Sequence, residues 1–199
     1  MMFRGQKTRR GIGTGAILSV VLLLGLPADA RALGPDEASE LAGWVQAFAA
    51  SFRFTGGDRE DAARLEAIDE CVDEMLFVAR PFARSRLRSA TVISKEIAFD
   101  VSEAVLAIRD AGERPLLVPL EGKPVQHVSK AGDELETTLK RDGRKLVLRT
   151  LNERGGEERV LTLSPDGKKL TIEVTIFADP LPLPIRYQLS YRRLTPPAR

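Results

Sequence analysis

One cysteine, one histidine, one tryptophan and two tyrosines are all that 199 residues contain of several side chains central to metal, redox and stacking chemistry. With Cys71 alone, no intramolecular disulfide can form, so stability has to come from burial. Cys71 falls beside the apolar stripe of a predicted helix, where an inert, partly buried thiol is expected. A zinc site built on His and Cys would have only His127 and Cys71, which lie on different predicted elements, so no metal site is expected. A Ser-His-Asp arrangement would have to use His127, and there is no Gly-x-Ser-x-Gly elbow. His127 is expected to be a surface or cross-strand residue. Phosphate-cradling loops are missing too: Gly11-x-Gly13 lies near the amino terminus, and Gly155-Gly156 reads as a hairpin turn. Carboxylates are plentiful, but nothing singles out a catalytic pair. A protein without catalytic residues or a cofactor is expected.

The amino terminus reads as an export signal. Arg4, Lys7, Arg9 and Arg10 precede the apolar run Ile12 to Leu26, and Ala28-Asp29-Ala30 is a small-x-small cleavage site. The run is shorter than the ~20 residues that a bilayer-spanning helix needs. Cleavage after Ala30 is therefore expected, by the general secretory route, giving a periplasmic or extracellular protein with no membrane span after processing. The leader holds four of the 30 basic residues and one of the 28 acidic residues, so the processed chain carries 26 against 27. A near-neutral chain disfavours nucleic acid as a partner, and its length fits one domain, expected to be a monomer.

Helical periodicity is confined to the first half. Leu41, Trp44, Val45, Phe48 and Phe52 suggest a short helix over 38–50 in a partly helical segment 31–50. "SFRFTGG" then alternates Phe52 and Phe54 as a short strand. Asp58 is the expected N-cap of a helix whose stripe is Leu65, Ile68, Val72, Met75, Leu76 and Ala79. Glu66, Glu70, Asp73 and Glu74 lie off that stripe as a solvated face. In "FVARPFARSRLR", an unbroken helix would drive Arg86 into the stripe. A turn at Pro81 is expected instead, with Phe82 and Leu87 packing from a second short helix. Arg80, Arg84 and Arg88 then share one face as a candidate anion-attracting rim.

From Thr91 onward the period becomes two. Expected strands are 91–99, 104–109, 115–120, 124–129, 134–140, 145–152, 157–164, 168–178 and 184–193. Gly112, Gly122, Gly132, Asp142-Gly143, Gly155-Gly156 and Pro165-Asp166-Gly167 punctuate them. Connections this short permit antiparallel hairpins and forbid parallel crossovers. Leu170, Ile172, Val174 and Ile176 share one face, as do Ile185, Tyr187, Leu189 and Tyr191. The expected fold is mainly β (α+β): an antiparallel up-and-down barrel or strongly curled meander of about 8–10 strands with a helical lid. The stretch 178–185, "ADPLPLPI", reads as a stiff extended connection.

One strand, a helix-turn-helix over 58–88 and strands over 91–193 resemble the calycins, the lipocalin and fatty-acid-binding-protein group, across a single domain at 51–195. The segments "ARPFARSRLR", "LSPDGKKLTIEVTI" and "LPLPIRYQLSYRR" also look like those of uncharacterised exported bacterial proteins. The Gly-x-Trp of many lipocalins is missing, since Gly43-Trp44 lacks the intervening residue. The Arg-x-Tyr that grips a fatty-acid carboxylate is missing too, because Arg186-Tyr187 and Tyr191-Arg192 have the wrong spacing. The resemblance implies binding of a small hydrophobic or amphipathic ligand in a barrel but does not carry over its carboxylate site. Candidate ligand residues are Arg80, Arg84 and Arg88 on the lid and Tyr187 and Tyr191 on the last strand. A filled barrel serving as an envelope interaction module is the alternative.

Overall fold

Alternating apolar residues and short turns from Glu96 to Arg193 can bury their apolar face only by curling the sheet. The computed structural model, which describes residues 44–102, 104–110, 114–129 and 132–194, has that arrangement. The expected leader at 1–30 and the segment 31–43 lie outside the described residues. Strand β1 (Ala50–Phe54) is followed by helices α1 (Gly57–Asp73) and α2 (Arg80–Ala90). Strands β2 (Glu96–Val101), β3 (Val105–Asp110), β4 (Leu116–Pro119), β5 (Val125–Val128) and β6 (Glu134–Asp142) come next. Strands β7 (Lys145–Asn152), β8 (Gly155–Leu163), β9 (Lys169–Ala178) and β10 (Ile185–Arg193) complete the sheet.

All neighbouring strands are antiparallel, in the order β4-β3-β2-β1-β10-β9-β8-β7-β6-β5. Strand β1 joins the two halves, pairing Phe52 with Ile97 of β2 and with Arg193 of β10. The two edges, β4 and β5, are consecutive in sequence but not hydrogen-bonded to each other, so the barrel is nearly closed. Leu120 and Leu139 are buried in one core across this seam, and Gly122 lies where a Cβ would sit 3.2 Å from the Leu139 carbonyl oxygen. Pro119 and Pro124 bring no N–H to the seam, which keeps it from zipping shut.

Below the barrel, Trp44 and Val45 lead into a 3-10 turn, Gln46–Phe48, and Ala50 already belongs to β1. The helix expected over 38–50 therefore stops earlier in its described part. Its aromatics close the lower end: Trp44 meets Phe48 edge-on at 5.2 Å between centroids, and Phe48 and Phe52 both meet Phe99.

At the other end the helices form the lid. Asp58 is not the N-cap of α1; that position is Gly56. The Glu60 carboxylate lies directly over Gly56 and accepts the Ser190 N–H of β10 at 2.6 Å, tying helix to barrel. Ile68, Cys71 and Val72 bury themselves against Ile185, with Leu87 and Leu181 packed around them. Cys71 is buried, and its thiol donates to the Leu183 carbonyl at 3.1 Å. That carbonyl belongs to the proline-rich connection.

Helix α1 ends at Asp73, earlier than its stripe suggested. Arg80 donates to the carbonyls of Asp73 (2.6 Å) and Met75 (3.0 Å), satisfying groups that a helix end leaves open. Leu76 (81% exposed) consequently projects into solvent with Phe77 and Val78, and Ala79 is also exposed. Pro81 sits in the first turn of α2, where its missing N–H costs no helical bond. The chain does turn there, and Arg86 is exposed instead of forced into the core. Leu87 packs inward as expected. Phe82 does not, being 72% exposed. Thr91 ends α2 by donating its hydroxyl to the Leu87 carbonyl at 2.8 Å, so β2 begins at Glu96 and not at Thr91.

Candidate functional site

Strand alternation places a polar patch inside the lid end of an apolar barrel. On β8, Leu161 and Leu163 face Ile172 and Leu170 of β9 in the core. Continuing the same period of two, Arg159 faces Val174 and Glu157 faces Ile176, so both polar side chains share the inward face. Asp110, at the end of β3, pairs with buried Ile97 and points the same way. Tyr187 and Tyr191 arrive from β10 in phase with Leu189.

These five residues line a cavity of about 50 Å³, roofed by Ala90–Ser94 and walled by Ile97, Ile172, Val174 and Leu189. A water molecule occupies about 30 Å³ of liquid, and drug-sized ligands fill about 300–1,000 Å³. The cavity in this conformation is therefore far smaller than a drug-sized ligand.

Charge is unevenly matched in the cavity. Arg159 donates to both carboxylate oxygens of Glu157, through Nε and, at 3.3 Å, through Nη2. The Glu157 charge, with Asp110 nearby, holds the guanidinium pKa above its ordinary value, against the opposing effect of burial. About a third of each side chain remains accessible, 37% for Arg159 and 28% for Glu157. Asp110 Oδ1 is buried without a hydrogen-bond partner among the described residues. Burial, reinforced by the Glu157 charge, pushes the Tyr187 phenol up to about 12. Burial and Asp110 also raise Tyr191, whose hydroxyl donates to the Ser94 carbonyl at 3.1 Å. Above them Arg64 of α1 is buried, held by Asp61 at 2.6 Å and donating to Thr91 Oγ1 at 2.7 Å.

A second polar string crosses the inward face of β5, β6 and β7. His127 Nε2 lies 2.9 Å from Thr137 Oγ1, which lies 2.9 Å from Thr150 Oγ1. The histidine is thus a cross-strand residue. Thr150 is the register partner of Glu157, so the string runs on toward the cavity.

Of the sequence-predicted site residues, Tyr187 and Tyr191 come together in the cavity. The three arginines lie elsewhere, on the lid. Arg84 pairs with Asp69 (2.9 Å) and Asp73 (3.1 Å), and Arg88 with Asp69 (2.9 Å), bracing α2 against α1; Arg80 closes the end of α1. Sequence reasoning missed Asp110, Glu157 and Arg159. The signal for two of them was there: in "EERVLTLS", Glu157 and Arg159 alternate in phase with Leu161 and Leu163. Asp110 lay one residue past the expected end of its strand.

A wider hollow of about 270 Å³ lies at the opposite end, between Trp44, Phe48, Arg144, Asp166 and Arg193. Two of its three charged groups are engaged with the chain itself: Arg193 donates to the Ala47 carbonyl and sits 5.3 Å over the Phe52 ring, and Asp166 accepts from Ser164. Among the described residues no cluster of His, Cys, Asp and Glu could hold a metal ion, and no helix is long and apolar enough to cross a membrane.

No family model and no curated protein sequence matches the chain. Among solved structures it is similar to lipid binding protein 8 of Caenorhabditis elegans, with a TM-score of 0.47 and 8% identity over 75% of this chain and 96% of that one. It is also similar to a zebrafish ileal bile acid-binding protein complexed with cholic acid (TM-score 0.45, 10% identity, 74% and 99% covered). A fatty-acid-binding protein from brain tissue of Drosophila melanogaster gives a TM-score of 0.43 at 10% identity, covering 72% and 96%. It is the order of the chain's own elements that makes the fold calycin-like: one strand, two helices, then nine antiparallel strands curled to near closure.

Proposed function

We propose that this protein is exported, is monomeric after loss of a leader at 1–30, and binds a small hydrophobic or amphipathic molecule in its barrel without catalysis. The observation that carries this reading is the cavity beneath Ala90–Ser94, where an unpartnered Asp110 oxygen and a charged pair stand beside the apolar wall of Ile97, Ile172, Val174 and Leu189. A protein gains nothing in stability by leaving a buried acceptor unmatched, which fits a place kept for a ligand group. The fold also supports it, because a barrel of this strand number can hold one small molecule. Tyr187 and Tyr191 belong to this site. Arg80, Arg84 and Arg88 serve the reading as the bracing of the lid. Mass spectrometry of small molecules released from natively purified protein tests it, together with uptake of an apolar dye. Empty protein that takes up no dye refutes it.

The small volume favours a second reading, a filled barrel that acts as an envelope interaction module. The exposed tip formed by Leu76, Phe77, Val78 and Phe82 would then be the contact surface. Crosslinking in the cell envelope separates the two, since only this reading requires a protein partner trapped at the lid tip.

A further inference from the structure

The charges around the cavity say which kind of polar group fits it. Each cation there already has its acceptor: Arg159 is held by Glu157, and Arg64 by Asp61 and Thr91. On the lid side Glu60 is occupied by the Ser190 N–H. What is left over is an acceptor, Asp110 Oδ1, buried and without a partner among the described residues. Counting only the charged residues that line the cavity, Asp110 and Glu157 oppose Arg159 alone. The Tyr191 hydroxyl, which spends its proton on Ser94, adds a second oxygen free to accept.

We propose that the site selects a molecule whose polar end is a cation rich in hydrogen-bond donors, in the simplest case an alkyl ammonium, and rejects carboxylates. The inference rests on the ligand-binding reading above and makes it specific. An ammonium beside Asp110 completes the pairing of the lining charges and satisfies the open oxygen. A carboxylate at the same place adds an anion to an excess of anions, in surroundings of low dielectric where like charges repel strongly. Ile97, Ile172, Val174 and Leu189 supply the wall for the alkyl part. About 50 Å³ accommodates the head group and its first carbon, and the rest of the chain displaces the Ala90–Ser94 roof.

Octylamine, octanol and octanoate share one apolar body and differ in the head group. Titrated calorimetrically into the full chain at neutral pH, octylamine is expected to bind about tenfold or more tightly than octanoate, with octanol between them. Asp110→Asn is expected to remove that preference. Octanoate binding as tightly as octylamine overturns the inference and leaves the ligand-binding reading standing. A preference for octylamine that survives in Asp110→Asn also overturns it, because adsorption elsewhere would then account for the signal. If none of the three binds, the inference and the reading beneath it fall together. The comparison of head groups is made on the unaltered chain, so it decides the matter even if Asp110→Asn does not fold.

Discussion

Raising the pH should report directly on the cavity, because the protein's only two tyrosines both line it. An ordinary phenol near 10 is about 90% ionised at pH 11. Tyr187, pushed to about 12 by burial and by Glu157 and only partly relieved by Arg159 and Arg64, should then be about 10% ionised. Tyr191 is raised as well, first by burial and then by Asp110. The sign of the stability effect follows from which state holds the proton. Below about pH 10 both phenols are protonated whether the chain is folded or not, and they contribute no pH dependence. Above it the unfolded chain releases protons that the folded chain retains, so stability falls as pH rises. The loss is roughly 1.4 kcal/mol per pH unit for each group, of order 2 kcal/mol for Tyr187 by pH 12. Phenolate absorbance followed against pH, in native protein and in guanidinium, measures this. The native curve should stay flat through pH 10 and rise with unfolding, while the denatured curve has its midpoint near 10. Two tyrosines titrating near 10 in the folded protein would refute the burial argument and the cavity built on it.

Other consequences of the packing can be checked by thermal or urea unfolding. Gly156→Ala should be among the most damaging single changes, because the added Cβ would lie 2.4 Å from the Thr150 carbonyl oxygen, where β8 is paired on both sides with β7 and β9. Ile68→Ala empties a fully buried position beneath the lid and should cost about 2–5 kcal/mol. Phe82→Ser should leave stability within about 0.5 kcal/mol, since the ring is mostly in solvent; a larger loss would place it in the core after all. Gly56→Ala pushes the Glu60 carboxylate away from the Ser190 N–H and should cost about 1–3 kcal/mol, with a Glu60→Ala background abolishing most of the difference.

Much of the barrel was legible because it is written in short-range periodicity. Leu170 to Ile176 and Ile185 to Tyr191 alternate without a fault, and Gly or Asp-Gly marks the hairpins, so β7, β9 and β10 fall within a residue of where alternation puts them. Boundaries failed where a side chain, not the period, stopped an element. Thr91 is β-branched and reads as strand, yet its hydroxyl ends α2. Arg80 reads as part of a charged face, yet it caps α1 and leaves Leu76 outside. The stripe on α1 identified Ile68 and Val72 correctly, since packing against β10 needs only the local helical phase.

By itself, then, the sequence determined the antiparallel connectivity, the face each strand buries and the two-helix insertion. These depend on neighbours two to four residues away. Tertiary structure alone decided that β1 lies between β2 and β10, that the seam falls between β4 and β5, and that Arg84 and Arg88 are spent on Asp69 and Asp73. It also decided the site. Asp110, Glu157 and Arg159 come from strands distant in sequence, and only closure of the sheet brings them to one cavity with Tyr187 and Tyr191. Alternation can say that a charged residue points inward, but what it meets there depends on the register of the whole barrel.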